Sequence, residues 1–460
     1  MNQLTFVNFV NVKSLIIFLL FSPLFIFSQN NNIFLLDSWT KDSLPFCYDG
    51  ESVFNEVWGF TIKGNDYAVI GSTAGAHFLK VTNDQLSEVA FVAGKYIGSQ
   101  AVHRDYHDYN GYLYAVCDEN ASSLQIMDLN YLPDSVPLIY DSDSLIIRAH
   151  NIFIDTAKAK LYALSATTYS GFHPMDVYDV SNPINPQLLY TYNNVGHVHD
   201  AYVYNDTAYL NCGNEGLKVI KSTNTIAIQI GELSTYLDKG YNHSGWLNGE
   251  KNTYVMCDET IGMRVKTIDV SDLNNIQTEY LFSSDMGDNA SSVPHNVIVR
   301  NNIAYVSYYH DGLQIFDVSN PSFVEKIGYY DTYNWSPTVS WAGAWGVYPF
   351  RNGERILVSD RTNGLFLIGF DILNVEEGNS NEINVFPNPS NDCVYFYRKH
   401  SAKADYELVI YNSFGKKVSS FTNYNDYCKI DVSKYSSGLY FLKYYSNFNS
   451  ETFTSKFLVK

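Results

Sequence analysis

Four histidines recur along the chain at steps of 49, 44 and 52 residues, namely His150, His199, His243 and His295. Imidazole nitrogens can bind a divalent metal such as Zn²⁺ when a fold brings three or four ligands to one point. Histidines in repeated positions can also hydrogen-bond neighbouring segments and so lock a fold without any metal. Both roles require a fold that repeats at the spacing of the histidines.

Carboxylates, aromatic rings and one arginine accompany these histidines. The ligand-binding candidates beside them are Trp58, Arg104, Asp105, Asp200, Trp246 and Trp345, and the further carboxylates expected nearby are Asp118, Glu119, Asp258, Glu259, Asp311 and Asp360. Histidine with carboxylate suits Zn²⁺, whereas a shell made mainly of oxygen suits Ca²⁺. The sequence contains no nucleophile elbow and no phosphate-binding loop, so no catalytic residue is assigned.

An internal repeat supplies the spacing. Its clearest copy is LQIFDVSNP at residues 313–321, and related copies lie at residues 124–130, 175–183 and 265–272. The apolar residues alternate as in a half-buried strand, and the Asp-Val-Ser-Asn-Pro end is typical of a turn. Two further strand-like segments precede each copy, and the first of them opens with a marked dipeptide such as Trp58-Gly59 or His295-Asn296.

Seven such units follow one another at steps of 46, 46, 49, 44, 52 and 50 residues, without a helical segment between them. Short antiparallel strands in units of this length predict an all-β fold, a seven-bladed β-propeller followed by a small C-terminal β-sandwich. We predict that the propeller covers residues 33–372. The last unit runs out after its third strand, so residues 33–40 are expected to add the missing outer strand and close the ring.

The repeat resembles that of LVIVD-repeat propellers, and residues 55–370 resemble the family called choice-of-anchor B. The segments that carry this resemblance are EVWG at 56–59, GSTAGAH at 71–77, HSGW at 243–246, PHN at 294–296 and GAWGVYP at 343–349. The resemblance implies an exported propeller joined to a surface-attachment tail. It implies no agreed catalytic residues.

The N-terminus and the net charge limit the possible locations and partners. The apolar run at residues 15–27 follows Lys13 and is too short to cross a bilayer, so residues 1–29 are predicted to be a cleaved signal peptide. No later apolar run is long enough to form a transmembrane helix in the mature chain. The formal net charge of −18 excludes nucleic acid as an expected partner.

The C-terminal part differs from the rest in charge. After a polar linker at residues 373–382, residues 383–460 carry ten Lys/Arg and six Asp/Glu, a balance of +4, against −22 for the remainder. With the motifs at 383–390 (INVFPNPS) and 430–442 (IDVSKYSSGLYFL), this module resembles the type A C-terminal sorting domain of the type IX secretion system. The resemblance implies that the secretion machinery is a partner, and that the processed chain is secreted or attached to the outer surface.

Two functions remain open from the sequence. The first is a secreted or cell-surface propeller that binds a glycan, a peptide or a protein through its channel face. The second is a metal-dependent hydrolase or lyase that uses a His/carboxylate site at the channel mouth. A disulfide between Cys393 and Cys428 also remains open, because the sequence does not give their separation.

Overall fold

The computed structural model describes residues 32–286, 291–333, 341–351, 353–371, 383–386, 389–398, 406–423, 427–446 and 452–460. The predicted signal peptide and the predicted linker at 373–382 lie outside these residues. Within them, β-strands are the only regular elements apart from one short 3₁₀ helix, Leu129–Tyr131. The prediction of an all-β chain is confirmed.

Seven four-stranded antiparallel sheets, which we call blades 1 to 7, follow one another. Strand β1 (Ile33–Trp39) belongs to blade 7. Blade 1 contains β2 (Phe54–Ile62), β3 (Asn65–Ser72), β4 (Gly75–Thr82) and β5 (Gln85–Ala93). Blade 2 contains β6 (Arg104–Tyr109), β7 (Tyr112–Cys117), β8 (Leu124–Asp128) and β9 (Leu138–Ser142). Blade 3 contains β10 (Asn151–Asp155), β11 (Lys160–Thr168), β12 (Gly171–Asp179) and β13 (Gln187–Tyr192). Blade 4 contains β14 (Asp200–Tyr204), β15 (Thr207–Asn211), β16 (Leu217–Ser222) and β17 (Ala227–Leu233). Blade 5 contains β18 (Asn242–Leu247), β19 (Thr253–Asp258), β20 (Val265–Asp269) and β21 (Gln277–Phe282). Blade 6 contains β22 (Val297–Arg300), β23 (Ile303–Ser307), β24 (Leu313–Asp317) and β25 (Glu325–Tyr330). Blade 7 contains β26 (Ala344–Pro349), β27 (Arg355–Asp360) and β28 (Gly364–Phe370), together with β1.

The repeated Asp ends the third strand of a blade by a local hydrogen bond. The carboxylates of Asp179, Asp269 and Asp317 each accept the backbone N–H two residues later, at 2.7, 2.9 and 2.8 Å. This is the side-chain turn that Asp favours, and it starts the loop to the fourth strand. The turn chemistry therefore defines the blade edge in the copies where the sequence is clearest.

The ring closes through its first strand. Strand β1 pairs antiparallel with β28, from Ile33 opposite Phe370 to Trp39 opposite Leu365. The first strands of all seven blades contact their neighbours in a closed circle, β26 against β2 included, and so surround a central channel. Apolar clusters fill the spaces between adjacent blades; one joins Val57 and Leu79 of blade 1 to Leu365 and Leu367 of blade 7.

The C-terminal module has two sheets and its own core. One sheet has the order β29 (Ile383–Phe386), β30 (Cys393–Arg398), β33 (Tyr427–Asp431), and the other β32 (Lys417–Asn423), β31 (Tyr406–Asn412), β34 (Gly438–Ser446), β35 (Thr452–Val459). One buried cluster unites both sheets, with Val394 and Phe396 from the first and Leu442 and Tyr444 from the second. The predicted β-sandwich is confirmed.

The two cysteines of this module are not bonded to each other. Cys393 lies opposite Asp431 and Cys428 lies opposite Phe396, so three residues of strand separate their positions. At about 3.3 Å per residue that offset is roughly 10 Å, beyond disulfide reach. Neither cysteine forms a disulfide among the described residues.

Candidate functional site

Six aromatic rings close a circle around one mouth of the channel. The neighbouring ring centroids are 5.2, 4.0, 4.0, 4.4, 4.4 and 5.3 Å apart in the order His103, His150, His199, His243, His295, Trp345 and back to His103. We call these six residues the mouth ring. The structure thus brings together the four histidines singled out in the sequence, and it adds His103. Their role as metal ligands stays a prediction.

The blade itself positions each ring residue. Each histidine lies at or just before the start of the first strand, and for three of them the backbone N–H is bonded to the second strand. The N–H groups of His150, His199 and His295 donate to backbone carbonyls of their own blades at 3.0, 2.8 and 2.9 Å. The side chains therefore project from a fixed backbone into the channel, as a preformed site requires.

Three of these side chains form a compact set of ligand atoms. His199, His243 and Glu259 each offer one donor atom, and these atoms all lie within 4.8 Å of one another. Glu259 lies 3.5 Å from Nε2 of His243 and 3.9 Å from Nε2 of His295. The hydroxyl of Tyr309 donates to the same carboxylate and holds it in place.

Burial sets the protonation of this part of the ring. It lowers the pKa of His199, His243 and His295 well below the ordinary value, so these imidazoles are neutral at pH 7 and carry a free lone pair. His150 differs: burial alone would lower its pKa, but its hydrogen bond to Asp118 and the charge of that carboxylate raise it. Neutral imidazole is the form that binds metal.

The hydrogen bonds of the ring are unequal. Nδ1 of His150 is 2.8 Å from Asp118, and Nδ1 of His295 donates to the carbonyl of Trp345 at 2.6 Å. In contrast, Nδ1 of His199 is buried and has no hydrogen-bond partner within the described part of the chain. The ring of His243 is hydrogen-bonded to the backbone of His295, which raises its pKa against the larger lowering effect of burial. A buried polar atom without a partner costs about 1–3 kcal/mol, so Nδ1 of His199 requires an explanation.

A second layer of polar side chains lies below the mouth ring. Glu56, Asp105 and Asp200 line the channel there, with the amides of Asn151 and Asn296 between them. Burial raises the pKa of Asp105 to about 7 and, with the charge of Asp105, that of Asp200 to about 8. Burial also raises the pKa of Glu56 well above its usual value. Glu56 and Asp200 are therefore mainly protonated at neutral pH, and Asp105 is ionised in part.

Two predicted aromatic walls lie in a third layer instead of at the mouth. Trp58 donates its indole N–H to Asp108 at 2.8 Å, and Trp246 packs against Tyr202 and Phe153. Alternate residues of a strand share a face, so Trp58 lies one layer deeper than Glu56. The expectation that both tryptophans wall the mouth is wrong, and Trp345 alone does so.

Arg104 lines the mouth cavity and also ties two blades together, and three predicted carboxylates serve their own blades. Arg104 is buried and donates to the carbonyls of Ser72 and Tyr96, which ties blade 2 to blade 1. The carboxylates turn inward and find local donors: Asp258 pairs with Lys266 at 3.2 Å, Asp311 accepts from two serine hydroxyls, and Asp360 accepts two backbone N–H groups. The expectation that these three face the mouth is wrong.

The free space in the channel is small. A cavity of about 50 Å³ lies within the mouth ring and the polar layer, and a second one of about 60 Å³ lies between the polar and aromatic layers. A single water needs about 10–15 Å³ and ligand pockets for small organic molecules hold about 300 Å³ or more. The mouth thus has room for an ion and a few waters.

Comparison with known proteins identifies two parts of the chain. Residues 294–332 match the LVIVD repeat, and residues 384–460 match the secretion system C-terminal sorting domain. The sorting domain indicates export through type IX secretion to the cell surface or the extracellular space. No helix among the described residues is long and apolar enough to cross a membrane. A search of curated protein sequences gave no significant match.

Solved structures with similar folds share little sequence. PorZ of Porphyromonas gingivalis, a bacterial surface component of the type IX secretion system, is 11% identical with a TM-score of 0.48; the match covers 92% of this chain and 61% of the PorZ chain. The structure of U3-55K is 10% identical with a TM-score of 0.52, over 74% of this chain and 99% of the other. The likeness to U3-55K supports the fold alone.

Proposed function

We propose that this exported β-propeller binds a divalent transition metal ion, with Zn²⁺ as the first candidate, at its channel mouth. The ligands are His199, His243 and Glu259, with His295 beside them. The observation that carries the proposal is their convergence: two neutral imidazoles and a carboxylate offer donor atoms within 4.8 Å of one another. Two histidines with one carboxylate are an established ligand set for zinc and for non-haem iron.

Hydrogen bonds to the backbone orient two of these imidazoles toward Glu259. Nδ1 of His295 donates to the carbonyl of Trp345, which leaves its Nε2 lone pair toward Glu259, 3.9 Å away. The ring of His243 is hydrogen-bonded to the backbone of His295, and its Nε2 lies 3.5 Å from Glu259. Bonds of this kind fix the orientation of histidines that hold a metal.

Distances place the ion at one side of the ring. Zinc bonds nitrogen at about 2.0–2.1 Å, so tetrahedral ligand atoms lie roughly 3.4 Å apart. A ring with sides of 4.0–5.3 Å has its centre roughly 4–5 Å from each centroid, too far for all five imidazoles to share one ion. From separations of at most 4.8 Å, the His199–His243–Glu259 set would have to contract by up to ~1.4 Å to bind zinc. The imidazole donors favour Zn²⁺ over Ca²⁺.

The open side of this site favours a second function. Three protein ligands leave one zinc position free, and the cavity of about 50 Å³ beside them has room for water. Zinc lowers the pKa of bound water to about 7, so such a site can hydrolyse a substrate that reaches it. A glycan or peptide exceeds the cavity, so it would lie across the rim and reach the metal with one terminal group.

Metal analysis of the purified protein tests the proposal. The mature chain, prepared without chelator, should contain Zn²⁺ by elemental mass spectrometry, and the double variant His199→Ala/His243→Ala should contain one Zn²⁺ per chain fewer. His173→Ala removes a histidine outside the ring and should keep the wild-type zinc content. Circular dichroism checks folding in each case. An unchanged zinc content in the folded double variant, or a wild type that takes up no zinc when zinc is supplied, would contradict the proposal.

The hydrolase function needs its own assay. Ester and phosphoester substrates with a nitrophenol leaving group should be cleaved by the zinc-loaded protein, and Glu259→Gln should abolish the turnover. If a metal is bound but no substrate of either class is cleaved, metal binding stands and hydrolysis is rejected.

We also propose the predicted domain limits, with a propeller over 33–372, a linker over 373–382 and a removable sorting module over 383–460. The family match over 384–460 supports the last of these. Mass spectrometry of the exported protein should find a C-terminus within or near the linker. An intact C-terminus on the exported chain would contradict removal.

A further inference from the structure

A second cluster of ligating side chains lies at the rim of the mouth, in blade 2. His103, Asp118 and Glu119 each offer one donor atom, and these atoms all lie within 4.8 Å of one another. The fold supplies this geometry: His103 precedes β6, Asp118 and Glu119 follow β7, and the N–H of Asp118 donates to the carbonyl of His103 at 3.2 Å. A tight pairing of two neighbouring strands therefore holds three ligands together.

We propose that His103, Asp118 and Glu119 form a second divalent-cation site, distinct from the one at His199 and His243. One imidazole and two carboxylates are a harder, more oxygen-rich set than two imidazoles and one carboxylate. Carboxylate oxygen suits Mn²⁺ better than the imidazole-rich set does, and imidazole still admits Zn²⁺. Mn²⁺ is therefore the ion expected to distinguish this site from the other.

Access and charge support a cation here. The side chains of His103, Asp118 and Glu119 are 33%, 32% and 19% exposed, so an ion can reach them from solvent. Glu259 faces the same mouth, and the whole chain carries a net charge of −18. A cleft lined by one sign of charge concentrates ions of the other sign.

The existing hydrogen bonds join the three side chains to one another and to their neighbours. Nδ1 of His103 is 2.5 Å from Oε1 of Glu119, and Nδ1 of His150 is 2.8 Å from Oδ2 of Asp118. Oε2 of Glu119 also accepts from the N–H of His103 at 3.1 Å and from the thiol of Cys117 at 3.5 Å. These contacts use one nitrogen of His103, one oxygen of Asp118 and both oxygens of Glu119. A cation bound here would therefore replace the hydrogen bond between His103 and Glu119.

His150 separates the two sites. It hydrogen-bonds Asp118 of the blade 2 site, and its ring lies 4.0 Å from that of His199 in the first site. The two proposed sites share no ligand, so each can be removed without taking a ligand from the other. The mouth would then hold two cations, one on each side of His150.

Equilibrium dialysis of the metal-free mature protein tests this inference, with Zn²⁺ and Mn²⁺ as separate probes. The wild type should bind two ions of Zn²⁺ per chain, and Mn²⁺ should fill the blade 2 site first. His103→Ala/Glu119→Gln should lower the zinc stoichiometry from two to one and remove Mn²⁺ binding. His243→Ala/Glu259→Gln should also leave one zinc but keep Mn²⁺.

A matched control exists elsewhere in the chain. His77 and Glu88 form another His–Glu pair, 2.9 Å apart, that belongs to no ligand cluster in the described residues. His77→Ala/Glu88→Gln should therefore still bind two ions. If this control also lost an ion, the loss would reflect damage to the propeller and the blade 2 assignment would fall.

The outcomes separate the two sites. One ion per chain that His243→Ala/Glu259→Gln removes and the blade 2 variant keeps would overturn this inference and leave the proposed function intact. One ion per chain that only the blade 2 variant removes would support the blade 2 site and overturn the proposed function. If the blade 2 variant misfolds, the anomalous-scattering map of Mn²⁺-soaked wild-type crystals decides, because ligand atoms should lie about 2.0–2.2 Å from a peak. The absence of a peak there overturns the site.

Discussion

Replacing Asp200 by Asn should stabilise the metal-free propeller relative to the wild type, and this gain should be larger at pH 8 than at pH 5. Asp200 lies in the polar layer of the channel, where burial and then the charge of Asp105 raise its pKa from 3.8 to about 8. Its carboxylate accepts the N–H of Ala201 at 2.6 Å. The amide oxygen of Asn can keep that bond, but Asn cannot ionise.

The sign follows from proton binding. Between pH 5 and pH 8 the unfolded chain has Asp200 ionised, whereas the folded chain keeps it protonated, so the folded state binds more protons. Stability then falls as the pH rises, by about 1.4 kcal/mol per unit, or ~4 kcal/mol over the three units. We take half of this, ~2 kcal/mol, because water in the channel screens the charge. The Asn variant escapes this loss.

For a propeller of roughly 340 residues the unfolding entropy is about 0.7 kcal/mol/K, so ~2 kcal/mol corresponds to ~3 °C. Scanning calorimetry with EDTA should thus show the melting temperature of Asp200→Asn rising by about 3 °C relative to wild type between pH 5 and pH 8. The exposed Asp134→Asn serves as the control and should follow the wild type. If the melting temperatures of Asp200→Asn and wild type differed by the same amount at both pH values, the reasoning would be refuted.

Two further perturbations test the neighbouring networks. Tyr309→Phe removes the hydrogen bond to Glu259, so the affinity for Zn²⁺ should fall by about tenfold or more while the stoichiometry stays the same. Titration calorimetry measures both quantities. An unchanged affinity would show that Tyr309 does not position this ligand. Asp258→Ala leaves the fully buried Lys266 without its carboxylate partner, 3.2 Å away, and should lower the free energy of unfolding, measured with denaturant, by about 3–5 kcal/mol. A decrease under ~1 kcal/mol would mean that Lys266 finds another partner or loses its charge.

The sequence predicts the fold well because the repeat carries it. Alternation within each copy predicts the strands, the Asp-Val-Ser-Asn ends predict the blade edges, and the period predicts the number of sheets. β1 pairs with β28 although more than 300 residues separate them. An unpaired third strand in the last unit was the signal for this partner.

The layers of the channel were harder to predict, because they depend on register within the first strand. Asp105 and Asp200 hold equivalent positions in the polar layer, so Arg104 corresponds to His199 in the strand register. In blade 2, however, the imidazole of the mouth ring comes from His103, one residue earlier, and alignment of the opening dipeptides missed it. The same-face rule applied from Glu56 would have shown that Trp58 lies deeper. Asp258 faces inward because Lys266, on the next strand, is its partner, and no sequence spacing shows this.

The ring of imidazoles combines locking contacts with ligand atoms that face a carboxylate. Nδ1 of His150 and Nδ1 of His295 are bonded to a carboxylate or a carbonyl, and the ring of His243 is bonded to the backbone of His295. These bonds leave Nε2 of His243 and Nε2 of His295 facing Glu259, at 3.5 and 3.9 Å. A lock needs only the first set of contacts. Since locking a blade does not require a carboxylate shared by two neighbouring blades, the convergence of His199, His243 and Glu259 points to a ligand bound between them.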